Sequence, residues 1–293
     1  MKILLTGANG QLGTALKQQA PAWHEVHACD AREFNLTDRN QMQAVLTRLA
    51  PACIINAAAY TAVDQAEQEA DKAWAVNAAG VKSLAEIAAP HTAIIHISTD
   101  FVFDGSSKQP YQPADKPNPL GAYGSSKLAG EQALLGLRPD RAMVVRTSWL
   151  YGPGGHNFVL TMLRLMDSRD TLAVVNDQFG CPTSVNSLAR VIWEFATRPG
   201  QGVFHWSDQG LTSWHGFAVE IQKQALALGL LQREIPIRAI PAADYPTPAK
   251  RPAYSVLDNS STCEYLELRA RPWQLELAKV LQQISQSKGN PNL

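Results

Sequence analysis

The sequence has little cysteine and no excess of charge, and each shortage excludes a class of protein. Its 293 residues include four cysteines, scattered without a CxxC pair or a Cys/His cluster. This argues against a zinc site and a disulfide framework, and it favours a reduced, cytoplasmic protein. The 26 basic residues balance the 26 acidic ones, so no overall field favours nucleic acid or an anionic membrane.

Long hydrophobic runs are also missing. No apolar segment approaches the ~18 residues that a membrane-spanning helix needs. The N-terminal stretch MKILLTGANG turns polar and glycine-rich too early for a signal peptide. We therefore expect no membrane partner. Hydrophobic residues make up 45% of the chain, an ordinary globular composition, and 293 residues are enough for one large domain or two smaller ones.

The first half of the chain alternates short apolar runs with helical segments. The runs are typical of strands buried on both faces of a parallel sheet. They occupy residues 2–6, 25–29, 53–58, 93–98 and 142–147. One of the intervening segments, the Ala-rich stretch 68–89, reads as helical throughout. Strands that alternate with helices predict an α/β fold with a doubly wound, parallel Rossmann-type sheet.

The pattern changes after about residue 150, where the predicted elements become less regular. We expect a dinucleotide-binding domain over 1–150, to which a later segment near 185–207 returns. Residues 151–293 would mainly form a smaller C-terminal substrate lobe. Five prolines within 236–255 predict a loop there. The amphipathic stretch PWQLELAKVLQQIS predicts a last helix.

A glycine-rich turn joins the first predicted strand to the first helix. Gly7, Gly10 and Gly13 stand in TGANGQLG. Gly7 would permit a tight turn, Gly10 the approach of a pyrophosphate, and Gly13 the packing of helix on strand. The GxxGxxG spacing differs from the GxGxxG of the dehydrogenase fingerprint. Its position directly after the opening strand nevertheless predicts dinucleotide binding.

Residues after the second and third strands extend the predicted cofactor site. Asp30 ends the second strand, where an acidic side chain would hydrogen-bond the adenosine ribose. Arg32 could instead meet a 2′-phosphate, so NADH and NADPH both stay open. NAAAYT (56–61) ends the third strand at the edge where ligands bind. Asp64, in Thr61-Ala-Val-Asp64, is predicted to form a capping box for the next helix.

A tyrosine and a lysine four positions apart form the predicted chemical centre. GAYGSSKLAGE places Tyr123 and Lys127 on one face of a helix. The fourth strand runs into HISTDFVFDG, so Ser98, Thr99 and Asp100 emerge at the ligand-binding edge. A phenol, with an ordinary pKa near ~10, needs a neighbouring positive charge to favour its phenolate. Together these residues predict acid–base catalysis by Tyr123.

Several stretches of the sequence resemble the extended short-chain dehydrogenase/reductase family. They are TGANGQLG, NAAAYTAVDQAE, STDFVFDG, YGSSKLAGE, RTSWLYG, NDQFGCPTS and YPTPAKRPAYS. They cover most of the chain, from residue 5 to about 257, and are similar to a branch that acts on dTDP-sugars. The resemblance implies NAD(P)H-dependent reduction of the 4-keto group of dTDP-4-dehydro-6-deoxy-L-mannose. That reaction is the last step of dTDP-L-rhamnose synthesis for cell-surface polysaccharide.

The resemblance also implies roles for individual residues. Tyr123 would donate the proton, Lys127 would orient the cofactor ribose, and Thr99 would hydrogen-bond the substrate oxygen. Asp100 and Trp149 would contact the substrate, although Trp149 could equally be a core residue. The implied cofactor-binding residues are Gly7, Gly10, Gln11, Leu12, Gly13, Asp30, Asn35, Leu36, Ala59, Tyr60, Thr61, Tyr123 and Lys127.

Several residues outside the chemical centre stay open. Arg251, in AKRPAYS, could hold the diphosphate of a dTDP-sugar or lie on a surface loop. His156 and Asn157 could contact substrate or begin a helix. Asn35 and Leu36 stand where relatives usually place Asp and an apolar residue beside the adenine, so that contact would be weaker.

Two alternatives and two assembly questions remain at this stage. A sugar-nucleotide dehydratase would carry Asp-Glu after the threonine, whereas Thr99 is followed by Asp100-Phe101; an epimerase would keep its cofactor bound. A non-catalytic, reductase-like regulatory subunit could lose its Tyr or Lys, and both are present. No carboxylate cluster predicts a metal site, so any Mg²⁺ would lie at the surface or a subunit contact. A homodimer is one assembly that the family allows.

Overall fold

A parallel six-stranded sheet forms the centre of the computed structural model, which describes residues 1–198 and 200–288. The strands of the described ranges are β1 (Lys2–Thr6), β2 (Glu25–Cys29), β3 (Cys53–Asn56), β4 (Ala93–Thr99), β5 (Ala142–Thr147), β6 (Leu150–Tyr151), β7 (Leu172–Val175), β8 (Phe179–Gly180), β9 (Thr183–Ser184), β10 (Gly202–His205), β11 (Thr212–Ser213) and β12 (Ile237–Ile240). The main sheet has the order β2-β1-β3-β4-β5-β10, and the other strands form three two-stranded ladders. Each predicted strand of the first half is thus confirmed, as is the doubly wound parallel sheet.

Helices cover both faces of this sheet. They are α1 (Gln11–Gln18), α2 (Arg39–Leu49), α3 (Val63–Ala66), α4 (Ala70–Trp74), α5 (Val81–Ile87), α6 (Ala122–Leu137), α7 (Phe158–Ser168), α8 (Val185–Thr197), α9 (Trp214–Ala227), α10 (Ser260–Leu266) and α11 (Trp273–Lys288). Short turns of other helix types span Ala75–Gly80 (π) and Asp100–Val102 and Ala242–Asp244 (3₁₀). The predicted helix at the end of the chain is confirmed as α11.

The alternation of side chains along each strand explains the two-faced core. On β1, Ile3 and Leu5 pack into one cluster with helices α1 and α8, whereas Leu4 packs into the opposite cluster with α2 and α5. Successive strand residues point to opposite faces, so a continuous apolar run fills both clusters. A third cluster joins α7, α9 and α11 in the second half of the chain. The domain boundary at residue 150 stays a prediction.

The sheet order creates the ligand crevice. The chain winds outward from β1 to β2 in one direction and from β3 to β10 in the other. At such a reversal the loops after two neighbouring parallel strands diverge and leave a crevice at the carboxyl ends. Here that crevice lies between β1 and β3, so the glycine loop and residues 57–61 face each other across it.

The predictions for two segments were incomplete or wrong in detail. The stretch 68–89 is helical as predicted, but the π-helical turn Ala75–Gly80 separates α4 from α5. A Cβ on Gly130 of α6 would overlap the carbonyl oxygen of Asn77, so this turn packs directly on α6. Residues 237–240 are not loop but strand β12, which pairs in parallel with β7. The prolines flank this short run, so its backbone N–H groups remain free to pair.

Two alanine substitutions on α6 test this close packing. Gly130→Ala should lower the free energy of unfolding by about 1–3 kcal/mol, because its methyl group meets the Asn77 carbonyl. Gly136→Ala is the matched control, since a Cβ there meets no atom within 4 Å. Alanine should stabilise that position by roughly 0.5–1 kcal/mol. Urea unfolding of the three proteins measures both, and equal effects would contradict the packing.

Candidate active site

The glycine loop provides a backbone cradle at the start of α1. Gly7 has a φ of +70°, and a Cβ there would lie 2.7 Å from the carbonyl carbon of Ala57 on the β3 side. A Cβ on Gly13 would overlap the carbonyl oxygen of Gly7. Gly10, at the N-cap of α1, is exposed and offers no side-chain cap to the helix. The first-turn N–H groups of α1 therefore suit the pyrophosphate of a dinucleotide.

Asp30 follows β2 and lies beside this loop. One oxygen of its carboxylate accepts a hydrogen bond from the Asn9 side chain at 3.0 Å, and the other accepts from the backbone N–H groups of Arg32 and Glu33. The turn thus holds the carboxylate at the end of β2, next to the cradle. Arg32 is exposed.

Other predicted cofactor residues are engaged within the protein. The Gln11 side chain donates to the carbonyl of His156 at 2.9 Å and accepts from Asn157 at 2.8 Å. The Asn35 side-chain oxygen accepts both hydrogen bonds that Thr37 donates, from its N–H and its hydroxyl. Leu12 and Leu36 are buried in the two core clusters. Asn157 also accepts from the N–H of Leu160 and so begins α7.

The loop after β3 is fixed by a residue on the π-helical turn. Asn77 is 1% exposed; its side-chain oxygen accepts from the N–H of Tyr60 at 2.9 Å, and its amide donates to the Tyr60 carbonyl at 3.0 Å. This reciprocal pair holds the backbone of the segment that contains Ala59, Tyr60 and Thr61. The same amide donates to Ser126 of α6 at 3.1 Å.

Thr99, Tyr123 and Lys127 come together where β4 ends against α6. Tyr123 and Lys127 lie on the first two turns of α6, and both are buried, at 9% and 1% exposed. Thr99 ends β4, and its hydroxyl donates to Asp100 at 3.1 Å. The Lys127 side-chain nitrogen donates to the carbonyl of Ile97 at 2.6 Å. A Cβ on Gly124 would overlap the Phe101 carbonyl, so glycine permits this close approach.

Burial controls the charges of this group. It raises the pKa of Tyr123 to about 12, although the nearby Thr99 hydroxyl opposes this. Burial also lowers the pKa of Lys127 to about 8, against the attraction of Glu131. The pKa of Asp100 rises to about 6, again through burial, with hydrogen bonds from Ser255 and Thr99 opposing it. Near neutral pH the phenol is therefore protonated in the protein without cofactor.

The predicted substrate residues are placed in different settings. Trp149 follows β5 with a φ of +47° and stacks on Trp214, with ring centroids 3.4 Å apart. It is half-buried, and one of its faces is covered by Trp214. Arg251 pairs with Asp64 at 2.7 Å, and Asp64 also accepts from the N–H of Ala249. The capping box predicted for Asp64 was wrong: no side chain caps α3, because Asp64 binds the 249–251 loop instead.

Sequence reasoning missed several residues that support the site. Glu67 accepts from the N–H of Ala122 at 2.8 Å and so binds the N-terminus of the helix that carries Tyr123. His96 and Asn56 lie buried behind Lys127. A polar residue inside an apolar strand run, as in AIIHIS and CIIN, was the available signal for these two. Glu67 and Asn77 gave no such signal.

The described residues show neither a membrane helix nor a metal cluster. None of the described helices combines the length and apolar character needed to cross a bilayer. Over the same ranges, no group of three or more His, Cys, Asp or Glu residues is arranged to hold a metal ion. The four cysteines are free thiols.

The fold and the site define a class. A parallel Rossmann-type sheet with a glycine cradle and a buried Thr/Tyr-x-x-x-Lys group is the architecture of the short-chain dehydrogenase/reductases. Within that class, the chain belongs to the family described as the RmlD substrate binding domain, whose model matches residues 1–286.

Several proteins similar to this chain carry the same name, dTDP-4-dehydrorhamnose reductase. A dTDP-4-dehydrorhamnose reductase from Aggregatibacter actinomycetemcomitans is 42% identical over 288 residues, which is 95% of this chain and 98% of that protein. A crystal structure of a dTDP-4-dehydrorhamnose reductase from Clostridium acetobutylicum is 39% identical, with a TM-score of 0.90, over 97% of this chain and 99% of that one. The Bacillus anthracis protein of that name, crystallised with NADP, is 34% identical, with a TM-score of 0.90, over 96% and 99%.

Proposed function

We propose that the protein reduces the 4-keto group of dTDP-4-dehydro-6-deoxy-L-mannose with NAD(P)H and forms dTDP-L-rhamnose. One observation carries the proposal: the buried Thr99, Tyr123 and Lys127 group adjoins the β1/β3 crevice in a chain whose relatives bear this reductase's name. Making dTDP-L-rhamnose for cell-surface polysaccharide is the biological role that follows.

Each residue of the group has a distinct part in this reaction. The nicotinamide cofactor, when bound, supplies the hydride. Tyr123, protonated near neutral pH, donates its proton to the oxygen of the reduced carbonyl. Thr99 hydrogen-bonds that oxygen, and Lys127 holds the cofactor ribose and favours the phenolate that remains. Burial of all three excludes water from the reacting oxygen.

The glycine cradle suits the pyrophosphate of the cofactor. The choice between NADH and NADPH, the diphosphate contact and the assembly are also part of the proposal. Both NADPH and NADH fit, with Arg32 available to a 2′-phosphate. Arg251 would bind the diphosphate of the sugar nucleotide after exchanging its Asp64 partner. A homodimer, a cytoplasmic location and a surface Mg²⁺ remain predictions, and size-exclusion chromatography with and without Mg²⁺ tests the first and last.

The proposed activity is tested with sugar nucleotides made in place. The purified protein receives NADH or NADPH and the product of a 4,6-dehydratase, with or without a 3,5-epimerase, while absorbance of the reduced nicotinamide is followed. We expect oxidation that requires the epimerase. Oxidation without it would assign a different 4-keto sugar nucleotide. If the folded protein binds dinucleotide but no keto sugar causes oxidation of NADH or NADPH, the reductase proposal would be overturned in favour of a regulatory subunit.

A substitution at Thr99 tests its contact with the substrate oxygen. Thr99→Val keeps the shape of the side chain but removes its hydroxyl, and we expect kcat to fall about 10²–10³-fold. Ser106→Ala is the control, because the Ser106 hydroxyl is exposed and bonds only within the loop, to Asp104. Unchanged kcat in Thr99→Val would remove Thr99 from the mechanism.

A further inference from the structure

A row of buried polar side chains connects Lys127 to the first strand of the sheet. The Lys127 nitrogen lies 3.2 Å from Nε2 of His96. Nδ1 of the same imidazole lies 3.0 Å from the side-chain nitrogen of Asn56. The hydroxyl of Thr6 donates to the Asn56 side-chain oxygen at 2.7 Å. All four side chains are at most 1% exposed, so each must find its partners within the row.

A backbone amide determines which way the Asn56 side chain points. The N–H of Ala58 donates to Oδ1 of Asn56 at 3.3 Å. Because a backbone N–H can only donate, a flipped amide would set two donors against each other at this position. Oδ1 therefore faces Thr6 and Ala58, and the Asn56 NH₂ group faces His96.

The Asn56 amide in turn selects the tautomer of His96. Nδ1 must accept the hydrogen bond that Asn56 donates, so the ring proton lies on Nε2. The imidazole is neutral, since burial holds the pKa of His96 well below its ordinary value. Its Nε2–H consequently points at the Lys127 nitrogen.

Lys127 meets a donor at this position. An ammonium has three N–H donors and no acceptor, so it would oppose the Nε2–H, whereas a neutral amine accepts it with its lone pair. The amine still donates to the Ile97 carbonyl at 2.6 Å. Burial lowers the pKa of Lys127 to about 8.

Few charges face Lys127 from the elements packed against it. Glu131 on α6 favours the ammonium, but that carboxylate is already paired with Arg146 of β5. Tyr123, also on α6, is neutral, and Asp100 after β4 acts on Tyr123. His96 is the neighbour in direct contact with the amine on the β4 side.

We propose that His96 is a positioning residue for Lys127: held by Asn56 with its proton on Nε2, it donates to the lysine nitrogen and favours the neutral amine over the ammonium. This proposal deepens the proposed reductase function, and its consequence for Tyr123 rests on that function. A weaker positive charge on Lys127 favours the protonated Tyr123 phenol, which is the form that a reduction needs at the start of each turnover.

The test measures protonation directly in cofactor-free protein. In protein that carries nitrogen-15-labelled histidine, NMR spectra that correlate ring protons with ring nitrogens over several bonds should show the neutral Nε2–H tautomer for His96. The His96→Gln variant assigns the signals. Nitrogen-15 NMR of labelled lysine, assigned with Lys127→Met, should show Lys127 titrating below its ordinary pKa. Asn56→Asp replaces the donor by an acceptor, moves the ring proton to Nδ1, and should raise the pKa of Lys127 by about 1 unit or more.

Thr6→Val is the matched control in the same row. It removes the hydroxyl that donates to Asn56 but leaves the Ala58 amide, so tautomer and Lys127 titration should match the wild type. An Nδ1–H tautomer in the wild type, or a Lys127 that titrates alike in wild type and Asn56→Asp, would overturn the proposal. If Asn56→Asp does not fold, the wild-type tautomer decides. These readouts need no turnover, so a failed reductase assay leaves them standing.

Discussion

Tyr123→Phe should lower kcat for reduction about 10²–10⁴-fold, the effect that loss of a general acid has. The phenylalanine ring keeps the edge-to-face contact with Phe101, whose centroid lies 5.7 Å away, and fills the same buried space. The substitution therefore removes the proton donor, while the crevice keeps its shape. Steady-state kinetics with the keto sugar nucleotide and NAD(P)H measure the loss.

Two controls separate chemistry from binding. The affinity for the dinucleotide, measured by fluorescence titration, should change little, because the Tyr123 hydroxyl lies on α6 and is not part of the glycine cradle at the start of α1. Tyr245→Phe removes a phenol that is 60% exposed, and should leave kcat unchanged. A Tyr123→Phe enzyme with near wild-type kcat would show that another group or a bound water supplies the proton.

Arg146→Met should lower the free energy of unfolding by about 3–5 kcal/mol, because it leaves a buried carboxylate unpaired. The Arg146 guanidinium on β5 binds both oxygens of Glu131 on α6, with its shortest bond at 2.7 Å, and the two side chains are 4% and 2% exposed. The guanidinium also lies 5.1 Å from the centre of the Phe103 ring. Urea unfolding at neutral pH gives the value.

Matched variants show whether the burial of the pair is the cause. Arg39→Met breaks the exposed pair with Glu86 and should cost less than about 1 kcal/mol. Adding Glu131→Leu to Arg146→Met removes the stranded charge and should recover much of the lost stability. Similar small losses for Arg146→Met and Arg39→Met would mean that water reaches Glu131.

The sequence alone identified the sheet, and it predicted the glycine cradle and the positions of Thr99, Tyr123 and Lys127. These depend on local rules: an apolar run of strand length predicts a buried strand, and four residues of helix bring Tyr123 and Lys127 onto one face. The local strand–turn–helix pattern is therefore enough to place Gly7 and Gly13 at the first turn, without any long-range contact. The same rules located the end of β4, and with it Thr99.

Tertiary structure decided the partners of the polar residues. Asp64 suits a capping box by its spacing, but it binds Arg251, which lies 187 positions further along the chain. Gln11 stays a predicted cofactor residue, and its side-chain amide links α1 to the loop before α7, a contact that the sequence did not indicate. His96 and Asn56 meet only because β3 and β4 are neighbours in register. Periodicity predicts which face a side chain lies on, whereas the topology of the whole sheet determines what that face meets, and a long-range hydrogen bond depends on both.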